Sequence, residues 1–334
     1  MADLAIVGAT GAVGQEFLNI LAERAYPVDG LRLLATKRSA GRIVSWGGRE
    51  IEVEETRRDS FRGVDIAFFA GGSDSSLFAE AAVSAGAIVI DNSSYFRLRP
   101  DVPLVVPEVN AAAVRLHKGI IANPNCSTII MAVALKPIED AARVRRVVVS
   151  TYQAVSGAGR DGITELEDQI RRWAGGEPAG PAKVFPYQIA FNLIPRIDVF
   201  QADDYTKEEW KMTLETQKIF DRPDLLVTAT CVRAPVLRSH AESINIETEK
   251  PLTPARAKEL LAKAPGVRLV DDIRAERYPT PLETTNQDDV FVGRVRVDRT
   301  VANGLNLWAA GDQLRKGAAL NGVQIAELLL EARP

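Results

Sequence analysis

The sequence predicts an α/β protein with a Rossmann-type, doubly wound parallel sheet followed by a second, α+β domain. Short apolar stretches alternate with amphipathic helical stretches up to Ala122, and a glycine-rich turn directly follows the first of them. From Val144 onward the strand-like stretches are longer and fewer helices separate them. Alternating strands and helices build parallel sheets covered on both faces. The predicted domains are residues 1–125 and 126–316, and a last helix over 317–332 is expected to pack back on the first.

Composition narrows the class of protein. The 334 residues suffice for two domains with ample cores, and 46% hydrophobic with 25% charged residues is usual for a soluble globular protein. A formal charge of −3 gives no electrostatic footprint for nucleic acid. No apolar run approaches the roughly 18 residues that span a bilayer. Two cysteines and no signal-peptide pattern lead us to expect a reducing cytoplasm.

The glycine-rich turn predicts a dinucleotide site. A strand over Leu4–Val7 leads into Gly8–Gly14 (GATGAVG), and an amphipathic helix is predicted over Gln15–Arg24. Glycines there let the backbone approach a pyrophosphate on the helix N-terminus. The spacing is G-x-x-G-x-x-G, with Thr10 in the middle position. A plain tight turn is the alternative, but the strand and helix around it favour nucleotide binding.

The loop after the second strand bears on the choice of cofactor. The strand is predicted over Leu31–Ala35, and NAD-specific folds place an acidic residue after it, whereas an arginine accommodates a 2′-phosphate. This chain has Thr36–Ser39 (TKRS) there, with no acid. A solvated basic loop is one interpretation. We prefer NADP as the cofactor.

The remaining elements follow the same two patterns. First-domain strands are predicted over Val64–Phe69, Ala87–Ile90, Leu104–Val106 and Ile120–Ala122, with a helix after Ala70–Ser73 and another ending at His117. Second-domain strands are predicted over Arg145–Tyr152, Leu225–Val232, His240–Glu247 and Val290–Val297, with a helix over Gly162–Ala174. Longer strands with few helices between them predict a mixed or antiparallel second sheet.

A cysteine turn joins the two domains. Pro124 in Asn123–Thr128 (NPNCST) favours a sharp turn, and Thr128–Leu135 is apolar all round, as in a buried helix. Cys126 would lie in the first helical turn, where free N–H groups and the helix dipole favour an anion such as a nucleophilic thiolate. A buried structural cysteine is the alternative.

Several unrelated motifs, in order along almost the whole chain, resemble those of the aspartate-semialdehyde dehydrogenases. They are Gly8–Gly14, Asn92–Arg97 (NSSYFR), Val105–Asn110 (VVPEVN), Asn123–Thr128, Thr151–Gly159 (TYQAVSGAG), Glu208–Met212 (EEWKM), Arg233–Val236 (RAPV) with His240, and Leu314–Ala319 (LRKGAA). The resemblance implies NADPH-dependent reductive dephosphorylation of 4-phospho-L-aspartate to L-aspartate 4-semialdehyde and inorganic phosphate. It also implies a place at the branch to lysine, methionine and threonine (and isoleucine), and a homodimer or tetramer.

The resemblance also implies residue roles. Cys126 matches the nucleophile that carries an acyl-thioester, His240 the acid/base, and Gln153 a residue that positions the substrate. Arg233 matches the partner of the substrate carboxylate, and Glu208 a contact of the amino group. Phosphate binding is carried over to Arg97 and Lys211, and cofactor binding to Thr10, Gly11, Ala12, Val13, Arg38, Ser39, Ser156, Gly157 and Gln313. No cluster has metal-ligand spacing, and we predict no metal.

These residue types suit that chemistry independently. A thiolate converts an acyl phosphate to a thioester. An arginine and a lysine suit a departing phosphate dianion, and a histidine suits proton transfer near neutral pH. Without the resemblance, Glu208 and Lys211 read as an exposed ion pair on a helix.

Two departures from the family pattern and two rival functions stay open. Relatives more often carry Asn at Gln313, and many have Gly and Ser where this chain has Ser239 and Ala241 around the histidine. An N-acetyl-γ-glutamyl-phosphate reductase shares the domain plan and the cysteine, but Glu208 favours a free amine. A nucleotide-binding redox sensor would need a resolving thiol, and Cys231 is predicted to be core in another strand.

Overall fold

The structure, a computed structural model, describes residues 2–70, 72 and 74–331, and these divide into two compact units. The first contains the described residues up to Asn125 together with those from Ala318 onward. The second is Cys126–Gly317. Each unit contains one sheet.

The sheet of the first unit is the predicted parallel sheet with one antiparallel strand added at an edge. Its order is β3-β4-β2-β1-β5-β6-β7, and every pair is parallel except β3–β4. The strands are β1 (Ala2–Val7), β2 (Val28–Ala35), β3 (Ile43–Trp46), β4 (Arg49–Glu55), β5 (Ile66–Phe69), β6 (Ile88–Asp91) and β7 (Ile120–Ala122).

Three parts of this unit differ from the sequence prediction. The β3–β4 hairpin was not predicted, although Gly47 and Gly48 both have positive φ at its turn, as a two-residue hairpin loop requires. Leu104–Val106 is not a strand, and only Leu104 makes a single bridge, to Ala122. The helix predicted to end at His117 is a short α-helix followed by a 3₁₀ turn over Ala111–Leu116.

The helices alternate with the strands along the chain. They are α1 (Ala12–Glu23), α2 (Asp74–Ser84), α3 (Pro107–Asn110), α4 (Cys126–Ala142), α5 (Arg160–Ala174), α6 (Lys207–Ile219), α7 (Pro254–Leu261), α8 (Pro281–Thr284) and α9 (Leu320–Glu331). The predicted turn Ala70–Ser73 includes residues 71 and 73, which lie outside the described residues.

The last helix, α9, packs into the core of the first unit. Its apolar side chains join those of α1 and the sheet in one buried cluster. A Cβ on Gly322 would lie 2.9 Å from two ring carbons of Phe17, so a glycine lets α9 approach α1 closely. The helix begins at Leu320, three residues later than predicted, because a π-helical turn over Arg315–Ala319 precedes it. The predicted end at Ala332 lies outside the described residues.

The second unit has the predicted mixed sheet, in the order β11-β12-β13-β10-β8-β9. The β8–β9 and β11–β12 pairs are parallel and the others antiparallel. Helix α4, buried over most of its length, packs against β8, β10, β12 and β13. The strands are β8 (Val144–Gln153), β9 (Leu226–Arg233), β10 (His240–Thr248), β11 (Val267–Leu269), β12 (Val290–Asp298) and β13 (Gly304–Gly311).

Neither a spanning helix nor a metal cluster occurs in the part of the chain that the structure describes. No helix there is both long and apolar enough to cross a bilayer. No group of three or more His, Cys, Asp or Glu side chains is placed there to hold a metal ion.

Candidate active site

Cys126 is the first residue of α4, so the prediction that it lies in the first helical turn is confirmed. The helix dipole therefore favours negative charge at its thiol. Cys126 is partly exposed, whereas Cys231 is fully buried, and burial raises the pKa of the Cys231 thiol above its ordinary value. A Cβ on Gly317 would lie only 2.9 Å from the Cβ of Cys126, so a side chain there would crowd the thiol. The accessible cysteine is the one at the helix N-terminus.

Three neighbouring strands bring Gln153, Arg233 and His240 to one end of the second sheet. Gln153 ends β8 and pairs in register with Arg233, which ends β9. His240 begins β10, whose next residue pairs with the residue before Gln153. All three side chains are buried. The sheet register thus assembles residues that lie far apart in the sequence.

The hydrogen bonding of His240 assigns its tautomer. The backbone N–H of Ala154 donates to Nδ1 at 3.1 Å, so we assign the proton of the neutral ring to Nε2. Burial, with a contribution from the charge of Arg233, lowers the pKa of His240 well below its ordinary value. Its Nε2 is buried and has no hydrogen-bond partner among the described residues. His240 is therefore a neutral imidazole whose Nε2–H could donate a hydrogen bond to a ligand.

The backbone of Ala154 and the small residue Gly157 support this histidine. The carbonyl of Ala154 accepts a 2.6 Å hydrogen bond from Nη1 of Arg233, so the same residue contacts both side chains. A Cβ on Gly157 would lie 2.7 Å from that Nη1 and 3.4 Å from Nε2 of His240. Any larger residue at 157 would displace one of them. Burial lowers the pKa of Arg233, whereas the charges of Glu208 and Cys126 raise it, which places the guanidinium near both.

Glu208 and Lys211 lie on the first turns of α6, and they are mostly buried, not an exposed pair. Glu208 accepts from Nε2 of Gln153 at 3.3 Å and from Nζ of Lys211 at 2.9 Å. Lys211 also pairs with Asp198 at 2.9 Å. Although burial alone would lower the pKa of Lys211, its two acidic partners raise it. Asp198 was missed in the sequence because it lies in an irregular segment with no motif.

A reciprocal capping box fixes the start of α6. The side chain of Thr206 accepts from the backbone of Glu209, and the carboxylate of Glu209 accepts from the backbone of Thr206. The second oxygen of Glu209 accepts from the backbone N–H of Cys231 at 3.0 Å. The helix that carries Glu208 and Lys211 is thereby held against β9.

Gln313 and Ser156 hydrogen-bond each other, and both are buried. The carbonyl oxygen of the Gln313 side chain also accepts from the backbone N–H of Ser239 at 2.8 Å. Ser239 has φ +76°, the left-handed region in which a non-glycine residue costs roughly 1–2 kcal/mol. A glycine at this position would avoid that strain. Next to it, Arg238 forms a 2.7 Å ion pair with the buried Asp312.

The predicted cofactor residues of the first unit form a suitable cradle for a dinucleotide. Helix α1 begins at Ala12, and its N-cap residue, Gly11, has no side chain that could bond the first N–H groups, which are the groups that bind a pyrophosphate at a helix N-terminus. A Cβ on Gly14 would lie 2.3 Å from the carbonyl oxygen of Gly8, which explains that glycine. The Thr10 hydroxyl donates to the buried Ser39 at 3.3 Å and joins the two loops, and Val13 and Arg38 flank them.

Arg97, the predicted phosphate ligand, lies in the first unit. It follows β6, is 7% exposed and donates from Nη2 to the carbonyl of Asn92 at 2.8 Å. The predicted site is therefore divided by the fold. The first unit carries Thr10–Val13, Arg38, Ser39 and Arg97, and the second carries Cys126, Gln153, Ser156, Gly157, Glu208, Lys211, Arg233, His240 and Gln313.

Comparison with known proteins agrees with this division. A family model for the semialdehyde dehydrogenase NAD binding domain matches residues 3–117, and one for the semialdehyde dehydrogenase dimerisation domain matches residues 135–316. The aspartate-semialdehyde dehydrogenase of Aquifex aeolicus (strain VF5) is 54% identical over 332 residues, covering 98% of each chain. The chain belongs to the aspartate-semialdehyde dehydrogenase family.

Other aspartate-semialdehyde dehydrogenases are similar to this chain over nearly its full length. That of Bacillus subtilis (strain 168) is 52% identical over 335 residues, covering 98% of this chain and 96% of the relative. The crystal structure of aspartate semialdehyde dehydrogenase II from Vibrio cholerae, complexed with ASA, has a TM-score of 0.97 and 47% identity, covering 100% of this chain and 99% of that one. The chain is an oxidoreductase of this family with a nicotinamide-cofactor domain and a second domain of the dimerisation type.

A buried carboxyl group, that of Glu242, lies on the same strand as His240 in this member of the aspartate-semialdehyde dehydrogenase family. Glu242 follows His240 by two residues on β10 and pairs in register with Thr151, which in turn pairs with Cys231. It is fully buried, and neither carboxyl oxygen has a hydrogen-bond partner among the described residues. Burial raises the pKa of Glu242 well above its ordinary value. This burial could not be predicted from the sequence pattern, since a glutamate in an alternating strand usually faces solvent.

Replacing this acid by its neutral isostere should change how stability depends on pH. The unfolded carboxyl titrates near its ordinary pKa, while the folded one keeps its proton to higher pH, so the wild type loses stability as pH rises. In the wild type the free energy of unfolding should fall by about 1.4 kcal/mol per pH unit from roughly pH 5 up to the pKa of Glu242 in the folded protein. We expect Glu242→Gln to remove this fall. Urea denaturation across that range measures it. Parallel stability curves for both proteins would contradict a buried, protonated Glu242.

Proposed function

We propose that the chain catalyses the NADP-dependent reductive dephosphorylation of 4-phospho-L-aspartate to L-aspartate 4-semialdehyde through an acyl-thioester on Cys126. This is the step at the branch to lysine, methionine and threonine. The observation that carries the proposal is the partly exposed Cys126 at the N-terminus of α4, in the same unit as buried His240 and Arg233. The names of the relatives at about half identity support the same substrate.

The first step is the capture of the acyl group. The thiolate of Cys126 attacks the acyl phosphate, and inorganic phosphate leaves. Arg97 and Lys211 would bind the phosphate, since Arg offers two parallel donors and Lys a point charge. Lys211 is held in its cationic form by Glu208 and Asp198, which raise its pKa against the effect of burial.

The second step is reduction of the thioester. The nicotinamide cofactor supplies the hydride when bound. His240 would present its Nε2–H to the substrate oxygen and stabilise the negative charge that develops there. The C–S bond to Cys126 then breaks, which releases the aldehyde and restores the thiolate. Because Nδ1 accepts from Ala154, the orientation of the ring is held and the proton of the neutral ring lies on Nε2. To act as a base at Nε2, the ring would have to carry its proton on Nδ1 instead, where the N–H of Ala154 donates.

Two charged groups fit an amino acid with a free amine. Arg233 would pair with the α-carboxylate and Glu208 with the ammonium group. An N-acetyl-γ-glutamyl-phosphate reductase, the rival from the same class, acts on an acylated amine that carries no charge. A mostly buried carboxylate at Glu208 would be poorly matched to such a substrate.

The assay of the purified protein with aspartate semialdehyde, phosphate and NADP tests the proposal. We expect phosphate-dependent formation of NADPH, and turnover of N-acetylglutamate semialdehyde lower by at least about 10²-fold. Preference for the acetylated substrate would establish the rival reductase. No turnover of either substrate, with reversible oxidation at Cys126, would establish a redox sensor.

Arg38 carries the proposed preference for NADP. It is exposed after β2, where an acidic residue would bind the ribose of NAD. Arg38→Ala should weaken NADP binding by about 1.5–3 kcal/mol and leave NAD binding nearly unchanged, because only NADP has the 2′-phosphate. Fluorescence titration of both cofactors measures this. Lys37→Ala, which removes the exposed neighbouring cation, is the matched control and should have a smaller effect. Equal losses for NADP and NAD would rule out a contact of Arg38 with the 2′-phosphate.

Assembly and location complete the proposal. The match of residues 135–316 to a dimerisation domain supports a homodimer, or a tetramer built from such dimers. Analytical ultracentrifugation distinguishes them. The two cysteines, Cys126 and Cys231, are free thiols, which fits a reducing compartment, and we propose the cytoplasm.

A further inference from the structure

Two fully buried asparagines join the C-terminal helix to the cysteine turn. Asn123 and Asn321 are both 0% exposed. The Nδ2 of Asn321, on α9, donates to Oδ1 of Asn123 at 2.6 Å and to the carbonyl of Val105 at 2.9 Å. Residue 123 begins the turn that leads to Cys126 three residues later. Asn321, near the end of the sequence, thus hydrogen-bonds the first residue of the turn that precedes Cys126.

The amide nitrogen of the Asn123 side chain and its backbone N–H are also hydrogen-bonded. Its Nδ2 donates to Oδ1 of Asn92 at 2.7 Å and to the carbonyl of Ala318 at 2.9 Å. Its backbone N–H donates to the carbonyl of Asp91 at 2.7 Å. The start of the turn is therefore held from β6, from the loop after it and from the segment before α9.

The same network reaches the arginine of the first unit. The carbonyl of Asn92 accepts from Nη2 of Arg97, while the Asn92 side chain accepts from Asn123. A continuous series of hydrogen bonds therefore runs from Asn321 through Asn123 and Asn92 to Arg97. A displacement at Asn123 would affect the path into Cys126 and the loop of Arg97 together.

We propose that Asn321 is a positioning residue that acts through Asn123 on both the Cys126 turn and the Arg97 loop. This rests on the proposed function, which gives Cys126 and Arg97 their chemical roles. A leucine would fill a similar volume in the core without partners to satisfy, whereas a buried amide must have them. Paired buried amides specify one arrangement of the segments that carry them, because any other leaves donors or acceptors unpaired.

The test measures the reactivity of Cys126 as well as turnover. Asn321→Ala removes the donor, and Gln324→Leu is the matched control, since Gln324 lies on the same helix and donates at 3.0 Å to Glu108 outside the network. Alkylation by iodoacetamide, with the site identified by mass spectrometry, reports Cys126, because Cys231 is buried. We expect Asn321→Ala to slow alkylation about 10-fold and to lower kcat about 10²-fold, as small misplacements do. Gln324→Leu should change neither by more than about twofold.

A double-mutant cycle separates positioning from general support. If Asn321 acts through Asn123, the double variant that combines Asn123→Ala and Asn321→Ala should have the same kcat as Asn123→Ala alone. Additive losses, or a lower melting temperature with unchanged alkylation and kcat, would overturn the proposal. Asn321→Ser keeps a donor and serves where the alanine variant fails to fold, with an expected alkylation rate between those of the wild type and Asn123→Ala. If the wild type shows no aldehyde turnover, the proposed function fails, and the alkylation rates still test the role of Asn321.

Discussion

Cys126→Ala should abolish turnover while leaving NADP binding within about twofold of the wild type. Removing a catalytic nucleophile costs roughly 10⁴–10⁶-fold in kcat, since no thioester can form. Most of the proposed cofactor residues, Thr10–Val13, Arg38 and Ser39, belong to the other unit, where Thr10 and Ser39 contact each other. Steady-state assay and fluorescence titration of NADP measure the two effects separately.

The second cysteine provides the control for this variant. Cys231→Ala removes the buried thiol, which the reaction does not use, and should retain most of the activity. A Cys126→Ala protein with more than a few per cent of wild-type kcat would exclude covalent catalysis at this residue. Loss of NADP binding along with turnover would indicate instead that the variant is misfolded.

His240→Ala should lower kcat by roughly 10²–10⁴-fold, the usual contribution of a positioned proton donor. The alanine also leaves the N–H of Ala154 without its acceptor, so part of the loss would be structural. His240→Asn separates the two effects, because its amide oxygen can accept from Ala154 while nothing replaces the Nε2–H. We expect the asparagine variant to recover thermal stability but not kcat.

Near-complete recovery of kcat in His240→Asn would contradict this role. It would mean that His240 serves to hold the Ala154 peptide, and through it Arg233, with no direct part in the reaction. Thermal unfolding of both variants, followed beside the assay, distinguishes the two outcomes.

The elements with strong local signals were predictable from the sequence. Cys126 lies at the start of a buried helix because Pro124 disfavours helical backbone before it and an apolar run follows it. The hydrophobic pattern likewise identified β1, β5, β8 and β10. Strand β13 was missed because it is bounded by glycines and poor in β-branched residues, and its partners β10 and β12 stabilise it.

The geometry of the site was less predictable, because it depends on sheet register. Gln153, Arg233 and His240 meet at one sheet end only through the pairing of β8 with β9 and β10. The motif resemblance named these residues but gave no tautomer for His240, and the sequence did not indicate Asp198 as a partner of Lys211. The residues next to Glu242 and Asn321 in the sequence do not indicate that these two side chains are buried. Their burial depends on how β10 and α9 pack within their own units.

Mass spectrometry of the acyl-enzyme tests the covalent mechanism most directly. The wild-type protein is mixed with aspartate semialdehyde and NADP in the absence of phosphate, quenched in acid and digested. We expect one aspartyl group on the peptide that contains Cys126, lost when phosphate is added before the quench and absent from Cys126→Ala. An unmodified Cys126 peptide in a protein that has reduced NADP under these conditions would contradict a thioester at this cysteine.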